Sequence, residues 1–469
     1  MRLILRARRP APAAVLAAGV MTLGACNVNQ ELLSPQQPGV ISPASTANAA
    51  AADALYLGVI GRVQNAFNGG GGNTEALWNW EALFSDELSS SDTRWQENDD
   101  DQRNLQTFDN LLTSIYNKVQ QVRGYARSAI NALLTYDKAA TGTLHVAEMY
   151  MVMGYTENRL GADFCNGIPL GETVNGVPQY TAPLTDSDVQ NTAIARFDTA
   201  LTYYNTAASA TSGAPTAANL AQVRYAILVA RARAQVDQAD FAGAATTVGP
   251  VPTSYNYNID YSTGTQANEW WTMGPSVQRY TAGDSVWGGT NRIFNAIPFA
   301  RVNDPRVPVT DTKHAGEDLQ TDFVQVNIWG QYDPVAMFSG VDARLIEAEA
   351  KLQTGDYAGM MTILNTLRSA GQTIGSFKVA AMPALTTTPT TRDYAINLFF
   401  REKALWQFGR GYRMDDLRRL VRQYGRTQDN VFPNGAFFRG GNYGTEVAFP
   451  VPDAERTNPL FNSCIDTKA

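Results

Sequence analysis

Residues 232–248 read "ARAQVDQADFAGAATTV", and residues 348–364 read "AEAKLQTGDYAGMMTIL". The two stretches align without a gap, and both place Asp, an aromatic residue, Ala and Gly directly after a short polar turn. A helix, a tight turn and an aromatic residue entering the next helix form the unit of tetratricopeptide-type hairpins. Because one hairpin cannot bury its own apolar face, such units stack. The pair therefore predicts a scaffold of stacked helical hairpins.

Apolar side chains recur at spacings of three and four around these turns, as buried helix faces require. The sets are Leu220, Val223, Ile227, Ala230 and Ala234; Val341, Leu345, Ala348 and Leu352; and Ile396, Phe399, Phe400 and Ala404. The sequence "TDSD" at 185–188 predicts an N-cap before another helix, and further degenerate hairpins are expected near 110–160. The predicted fold class is mainly α, with tetratricopeptide-like hairpins as the scaffold.

Two stretches differ in composition from the helices. Residues 68–104 and 250–340 are rich in Gly, Pro, Asn, Thr and aromatic residues, as in "NEWWTMG" and "VWGGTNRIF". Long irregular stretches in a compact helical protein are usually functional. We therefore expect the loops, not the helices, to carry the ligand-binding face.

The N-terminal segment is typical of an export signal. Four arginines occur in the first nine residues, no charge follows from 11 to 23, and Cys26 comes after Leu-Gly-Ala. Residues 23–26 resemble the bacterial lipobox, whose cysteine takes lipid and becomes the mature N-terminus; the alternative is ordinary secretion with Cys26 incidental. The predicted organisation is a signal peptide at 1–25, a lipidated tether at 26–44 and one helical domain at 45–469, with loop-rich insertions near 68–104 and 250–340.

Composition and charge narrow the class of protein. Of 469 residues, 44% are hydrophobic and 17% are charged, which is typical of a globular body. Without the four signal arginines, the chain has 33 basic and 44 acidic side chains, so the net charge of the mature chain is near −11. This balance argues against a nucleic-acid partner, since phosphate binding needs a basic field.

Two cysteines remain once Cys26 is assigned to the anchor. Cys165 and Cys464 both lie in turn-like sequence, "DFCNGIP" and "NSCID". An even pair in an oxidising compartment favours one disulfide that joins the C-terminal tail to the body. The alternative is two free cysteines.

The segment 399–420 reads "FFREKALWQFGRGYRMDDLRRL". It resembles the C-terminal signature of the SusD/RagB-like outer-membrane lipoproteins, R-E-x-E…G-x-R-x-x-D-L-R-R. The sequence "FPVPDAERTNPLFN" at 449–462 is similar to the family's ending, and "NDPR" at 303–306 is similar to its N-D-P-R element. Two positions depart from the pattern: Met414 stands where an aromatic residue is common, and Lys403 where a second acidic residue is often found.

Charged and aromatic residues interleave in this signature. Arginine's planar fork suits paired, partly buried carboxylates, and the neighbouring aromatic residues favour burial over the alternative of a solvated charged helix face. We predict an internal ion-pair lattice that holds the C-terminal hairpin to the body. Its expected members are Arg401, Arg413, Arg418, Arg419, Glu402, Asp415 and Asp416.

Catalytic motifs find little support. The two histidines, His145 and His314, have no partners for a catalytic triad or a metal site. The loop "NGGGGN" lacks the lysine of a phosphate-binding loop, and "ENDDDQ" at 97–102 lacks calcium-loop spacing, which favours a solvated turn. We predict no enzyme activity, no cofactor and no metal. A carboxylate pair for glycoside hydrolysis, drawn from Glu81, Asp86 and Glu87, stays open because its geometry is spatial.

Loop aromatics offer a better indication of function. A flat ring suits the apolar C–H face of a pyranose, and neighbouring Arg, Asn and Asp side chains can bind its hydroxyls. For any single tryptophan, packing under a loop is the commoner role, and Trp78 and Trp80 look partly core. The predicted ligand-binding residues are Trp95 and Trp287 as the leading candidates, with Arg94, Asn98, Tyr280, Trp270 and Asp284.

The resemblance implies a function as well as a fold. A SusD-like protein is a surface-exposed outer-membrane lipoprotein that captures an oligosaccharide or similar nutrient and passes it to a SusC-like TonB-dependent transporter. The expected membrane contact is the lipid anchor. Two alternatives stay open: a surface glycoside hydrolase, and a repeat-type protein–protein scaffold without a small ligand.

Overall fold

The computed structural model describes residues 47–70, 76–174, 177–287 and 291–469, with the side chains of 287, 291 and 292 left out. The signal-peptide, lipidation and tether predictions, including Cys26, fall outside these residues. Residues 48–469 form one compact unit. None of the helices described is both long and apolar enough to cross a lipid bilayer.

Thirteen α-helices account for nearly half of the described residues. They are α1 Ala49–Phe67, α2 Leu77–Phe84, α3 Trp95–Asp101, α4 Asn110–Tyr136, α5 Ala140–Asp163, α6 Asp186–Ala208, α7 Ala217–Asp237, α8 Phe241–Val248, α9 Glu269–Trp271, α10 Gly340–Gln353, α11 Tyr357–Ala370, α12 Arg392–Trp406 and α13 Arg413–Arg422. Neighbouring helices pack in sequence order, α4 on α5, α5 on α6 and α6 on α7. The mainly α, hairpin-based prediction is confirmed, including the hairpin expected near 110–160.

The two repeat turns have the same cap. Asp240 accepts a hydrogen bond from the Gly243 N–H (2.9 Å) before α8, and Asp356 accepts one from the Gly359 N–H (2.8 Å) before α11. Thr185 likewise accepts from the backbone N–H of Asp188 (3.1 Å) and caps α6. Each cap satisfies an N–H that has no partner inside its helix.

Thirteen short strands lie outside the helices of the described chain, and each pairs antiparallel with a neighbour. They are β1 Leu88–Ser90, β2 Glu172–Val174, β3 Val177–Gln179, β4 Asn256–Ile259, β5 Tyr280–Ala282, β6 Val286–Trp287, β7 Asn291–Phe294, β8 Val309–Ala315, β9 Asp322–Val326, β10 Val335–Ser339, β11 Gln372–Ile374, β12 Phe377–Val379 and β13 Asn434–Gly435. The pairs are β1–β5, β4–β10, β2–β3, β8–β9 and β11–β12, with β13, β7 and β6 in one small sheet. The stretches 68–104 and 250–340 therefore contain helices and strands as well as loops.

The predicted ion-pair lattice is present, but Arg401 is not a member of it. Arg419 pairs with Asp416 (3.0 Å) and with Glu349 of α10, and all three side chains are buried. Arg418 pairs with Asp186 (3.0 Å) and also donates to backbone carbonyls at the end of α5, including that of Phe164 (2.8 Å), which have no partner inside the helix. Arg401 is exposed to solvent. Its placement in a buried lattice was wrong, because it lies on the outer face of α12.

A disulfide joins Cys165 to Cys464, with their Cα atoms 6.1 Å apart. This is the pairing that the sequence favours. Beside it, the Ile465 N–H donates to the Asn166 carbonyl (2.7 Å) and Asn166 Nδ2 donates to Asp466 (3.0 Å). The C-terminal segment is therefore fixed to the end of α5 by covalent and hydrogen bonds together.

Candidate ligand site

Two exposed aromatic rings lie side by side at the start of α3. Trp95, the first residue of that helix, is 45% exposed, and Phe108, in the turn before α4, is 68% exposed. Their ring centroids are 6.3 Å apart at an interplanar angle of 41°. We call Trp95 and Phe108 the aromatic shelf. Large adjacent rings left in solvent are the kind of surface that marks a binding site.

Polar groups border the shelf. The guanidinium of Arg94 pairs with Asp92 (3.3 Å) and Glu97 while keeping about a third of its side chain exposed. Gln96 Nε2 donates to Asn110 Oδ1 at the surface (3.0 Å). These groups give the shelf hydrogen-bonding capacity next to its apolar rings.

Asn98 has an internal role. Its Oδ1 accepts from Ser90 Oγ (2.8 Å), and its Nδ2 donates to the Asp92 carbonyl (3.3 Å). These bonds fix α3 against β1. Of the predicted ligand-binding residues, the structure thus brings Arg94, Trp95 and Asn98 together, with Arg94 and Trp95 facing solvent.

Three other predicted ligand residues are buried, so their assignment to an accessible surface was wrong. Trp270 is 6% exposed and stacks on Trp329 at 5.1 Å between centroids. Tyr280 is 3% exposed on β5, opposite Ser90 of β1. Asp284 is 8% exposed and pairs with Arg301 (2.6 Å). Segments distant in sequence pack against Trp270 and Tyr280, which their polar, glycine-rich context did not reveal. The side chain of Trp287 lies outside the described part, and its role stays a prediction.

The acidic run at 97–102 is not a solvated turn. It forms most of α3, and Glu97, Asp100 and Asp101 are fully buried beneath the shelf. Burial and the nearby Asp92 raise the pKa of Glu97 to about 8, against the lowering effect of Arg94. Burial also raises the pKa values of Asp100 and Asp101 well above the ordinary range. Within the described ranges, no group of three or more His, Cys, Asp or Glu residues is arranged to hold a metal ion.

The three carboxylates considered as candidates for glycoside hydrolysis, Glu81, Asp86 and Glu87, are also buried. Glu81 pairs with Arg159 (3.1 Å), Asp86 accepts from the Tyr443 hydroxyl (3.1 Å), and Glu87 accepts from a backbone N–H (3.2 Å). All are at most 1% exposed. Such carboxylates serve the packing of α2 and β1 against the body and do not face a substrate surface.

Sequence reasoning missed two features of this region. Phe108 lies in the polar stretch "QTFDN" at 106–110, and that context is the signal that could have identified it as exposed. A cleft of about 690 Å³ also opens along α4, opposite the β2–β3 hairpin. The wall formed by α4 is polar, and its sequence cannot be distinguished from that of an ordinary solvent-exposed helix face.

No protein-family model matches the chain, and no curated protein sequence does. Solved structures do match. A SusD superfamily protein from Bacteroides thetaiotaomicron VPI-5482 is 13% identical with a TM-score of 0.61, over 89% of this chain and 100% of that one. A SusD-like carbohydrate binding protein from Bacteroides vulgatus ATCC 8482 is 11% identical with a TM-score of 0.61, over 88% and 97%. The protein therefore has the SusD-like fold, as the motifs near its C-terminus predict.

Proposed function

We propose that this protein is a surface-exposed outer-membrane lipoprotein that binds a glycan or similar nutrient at the aromatic shelf and delivers it to a TonB-dependent partner transporter. The SusD-like fold supports the binding role, since a solved protein with that fold is described as carbohydrate binding. The lipid anchor at Cys26 and the transporter partner are supported by the sequence resemblance alone.

The exposure of Trp95 carries the proposal. Trp78 and Trp80 are fully buried and Trp270 nearly so, while Trp95 keeps almost half of its surface in water beside a second exposed ring. Removing an aromatic ring from water is strongly favourable. A pair of rings left exposed therefore offers binding free energy to a ligand with an apolar face, and a pyranose has one.

Binding without chemical conversion is the second part of the proposal. Glu97, Asp100 and Asp101 of α3 are fully buried, as is Asp109 beside Phe108, so these carboxylates are not placed to flank a glycosidic bond. Affinity would come from stacking on the rings and from hydrogen bonds to groups such as Arg94 and Gln96.

Alanine variants of the shelf test the proposal. Trp95→Ala should weaken binding of a neutral oligosaccharide by about tenfold, and Phe108→Ala by less, since one stacked aromatic pair contributes roughly 0.5–1.5 kcal/mol beyond its buried area. Isothermal titration against a panel of gluco-, xylo- and manno-oligosaccharides measures this. Tyr394→Ala is the matched control, because Tyr394 is 44% exposed on α12. If Trp95→Ala binds as tightly as Tyr394→Ala, the shelf is not the site.

A further inference from the structure

The cleft along α4 has the size of a ligand site. Its volume of about 690 Å³ lies within the range of roughly 300–1,000 Å³ typical of small-molecule pockets. One wall is the face of α4 from Tyr116 to Asn131, the other is the β2–β3 hairpin with Tyr180, and residues 455–458 close one end. We call it the α4 cleft.

The charges in the α4 cleft balance. Its charged lining consists of two arginines and two glutamates. Arg127 pairs with Glu172 across the cleft, and Arg123 pairs with Glu157 below it (3.2 Å). The hydroxyl of Tyr116 donates to Glu455 (2.9 Å). A cleft without a net field favours a neutral polar ligand over an anion or a cation.

Aromatic and amide groups supply the contacts. Tyr125 is 41% exposed, and the guanidinium of Arg62 lies 3.5 Å from its ring centroid, which holds the ring in place. Tyr180 is 47% exposed on the hairpin side. Gln121 and Gln179 add amides from the two walls. Half-exposed rings combined with amides and hydroxyls suit the apolar faces and hydroxyl groups of a sugar.

One polar face of α4 leads from the aromatic shelf to the α4 cleft. Asn110, which is hydrogen-bonded to Gln96 at the shelf, begins a row of exposed residues that continues through Asn117 and Gln121, at spacings of seven and four on one face of α4. The Asp453 N–H donates to the carbonyl of Thr107 (2.9 Å), next to Phe108, and the same turn lines the cleft. From Asn110 to the middle of the cleft is about 20 Å along the helix axis.

We propose that the α4 cleft is a second glycan subsite, joined to the aromatic shelf by the polar face of α4. The ligand class is then an extended neutral oligosaccharide, longer than the shelf alone can hold. This inference rests on the proposed function and adds the length and neutrality of the ligand.

Gly124 provides a way to block the cleft without disturbing the fold. It lies mid-helix on the cleft wall, and a Cβ built there meets no atom within 4 Å. Gly124→Leu therefore places a side chain in the cleft while replacing a poor helix former, and Gly124→Ala is the matched control with little added volume. Tyr180→Ala removes a contact from the opposite wall.

The full chain, purified in detergent, would be titrated with disaccharides and hexasaccharides of the glucan, xylan and mannan series. We expect Gly124→Leu and Tyr180→Ala to weaken hexasaccharide binding by about fivefold or more, with disaccharide binding unchanged. Trp95→Ala should weaken both. Gly124→Ala should bind both like the wild type.

The outcomes separate this inference from the function on which it rests. If Trp95→Ala weakens binding but both cleft variants bind hexasaccharides like the wild type, the second subsite is wrong and the shelf stands. Equal weakening of disaccharides and hexasaccharides by Gly124→Leu would also overturn a separate subsite. If the wild type binds no member of the panel, the result counts against the proposed function, and the inference falls with it.

Discussion

Lys403 shows how one departure from a family pattern is accommodated. Its ammonium lies 2.7 Å from Asp416 and 3.3 Å from Glu349, with the side chain 6% exposed. Burial alone lowers the pKa of Lys403, but Asp416 and Glu349 together raise that pKa above its ordinary value. The lysine therefore stays charged. It neutralises two buried carboxylates that Arg419 also contacts.

Lys403→Met tests this role, since it keeps the length of the side chain and removes its charge. We expect a loss of about 3–5 kcal/mol in the free energy of unfolding, because two buried carboxylates would share one remaining arginine. Urea unfolding measures it. The control is Arg401→Met, two positions away on the exposed face of α12, which should change stability by less than about 0.5 kcal/mol. Similar losses in the two variants would contradict the lattice.

The tryptophans mark the limit of prediction at this scale. Local context distinguished Trp78 and Trp80, in an apolar helix, from Trp95, which lies among polar residues. Local context did not identify Trp270 as a buried residue, because the ring that stacks on it, Trp329, lies 59 positions later in the chain. The exposure of a large ring depends on whether a distant segment packs over it, and spacing or composition does not encode that.

The repeated turn is the element that sequence predicted best. A Cβ at Gly243 or Gly359 would overlap the carboxylate of Asp240 or Asp356, three positions earlier. The glycine leaves room for the cap, and the aspartate needs that room to reach the N–H. The aspartate and the glycine therefore form one local capping motif, and two ungapped copies of that motif can be recognised in the sequence.

Asp356→Ala should lower the free energy of unfolding by about 1 kcal/mol, the usual contribution of an N-cap side chain. Asp356→Asn should lose little, because its amide oxygen can still accept from the Gly359 N–H. Asp356 also pairs with Lys351 (2.9 Å), but both side chains are largely exposed and such pairs contribute little. Chemical denaturation of both variants checks the argument. An asparagine variant as unstable as the alanine one would show that the ion pair is the main contribution.

The short strands could not be predicted in the same way. β10, at Val335–Ser339, is completely buried and pairs with β4, which ends 76 positions earlier at Ile259. Five residues carry no helical or alternating pattern that distinguishes a buried strand from an apolar loop. Their pairing depends on the helices that bring the two segments together.

At the scale of the molecule, the C-terminal signature connects separate parts of the body. Arg410 pairs with Asp342 at the start of α10 (2.6 Å). The carboxylate of Glu402 in α12 forms ion pairs with Arg306 of the "NDPR" element (2.7 Å) and with Arg368 of α11 (3.0 Å). The motifs that carry the family resemblance are therefore the contacts that join distant helices, so they predict the fold more firmly than they predict a ligand.

Buried carboxyl groups make the stability of the molecule depend on pH. Burial raises the pKa of Asp86 to about 8, although the Tyr443 hydrogen bond, Arg103 and Arg413 each lower it. Glu87 and Glu97 are raised to about 8 as well, with burial again the main cause. In the unfolded chain such groups titrate near about 4. Between these values, the folded state holds protons that the unfolded state has released.

Stability should therefore fall as pH rises from about 5 to about 8, by up to about 1.4 kcal/mol per pH unit for each such group. Asp86→Asn tests this directly. Asparagine stays neutral, can keep an acceptor for the Tyr443 hydroxyl, and tolerates the left-handed backbone at this position (φ 57°). Urea midpoints across this pH range should fall less steeply for the variant, which should gain stability relative to wild type as pH rises. Parallel pH profiles would mean that Asp86 is ionised in the folded protein, and its burial would then need a compensating cation.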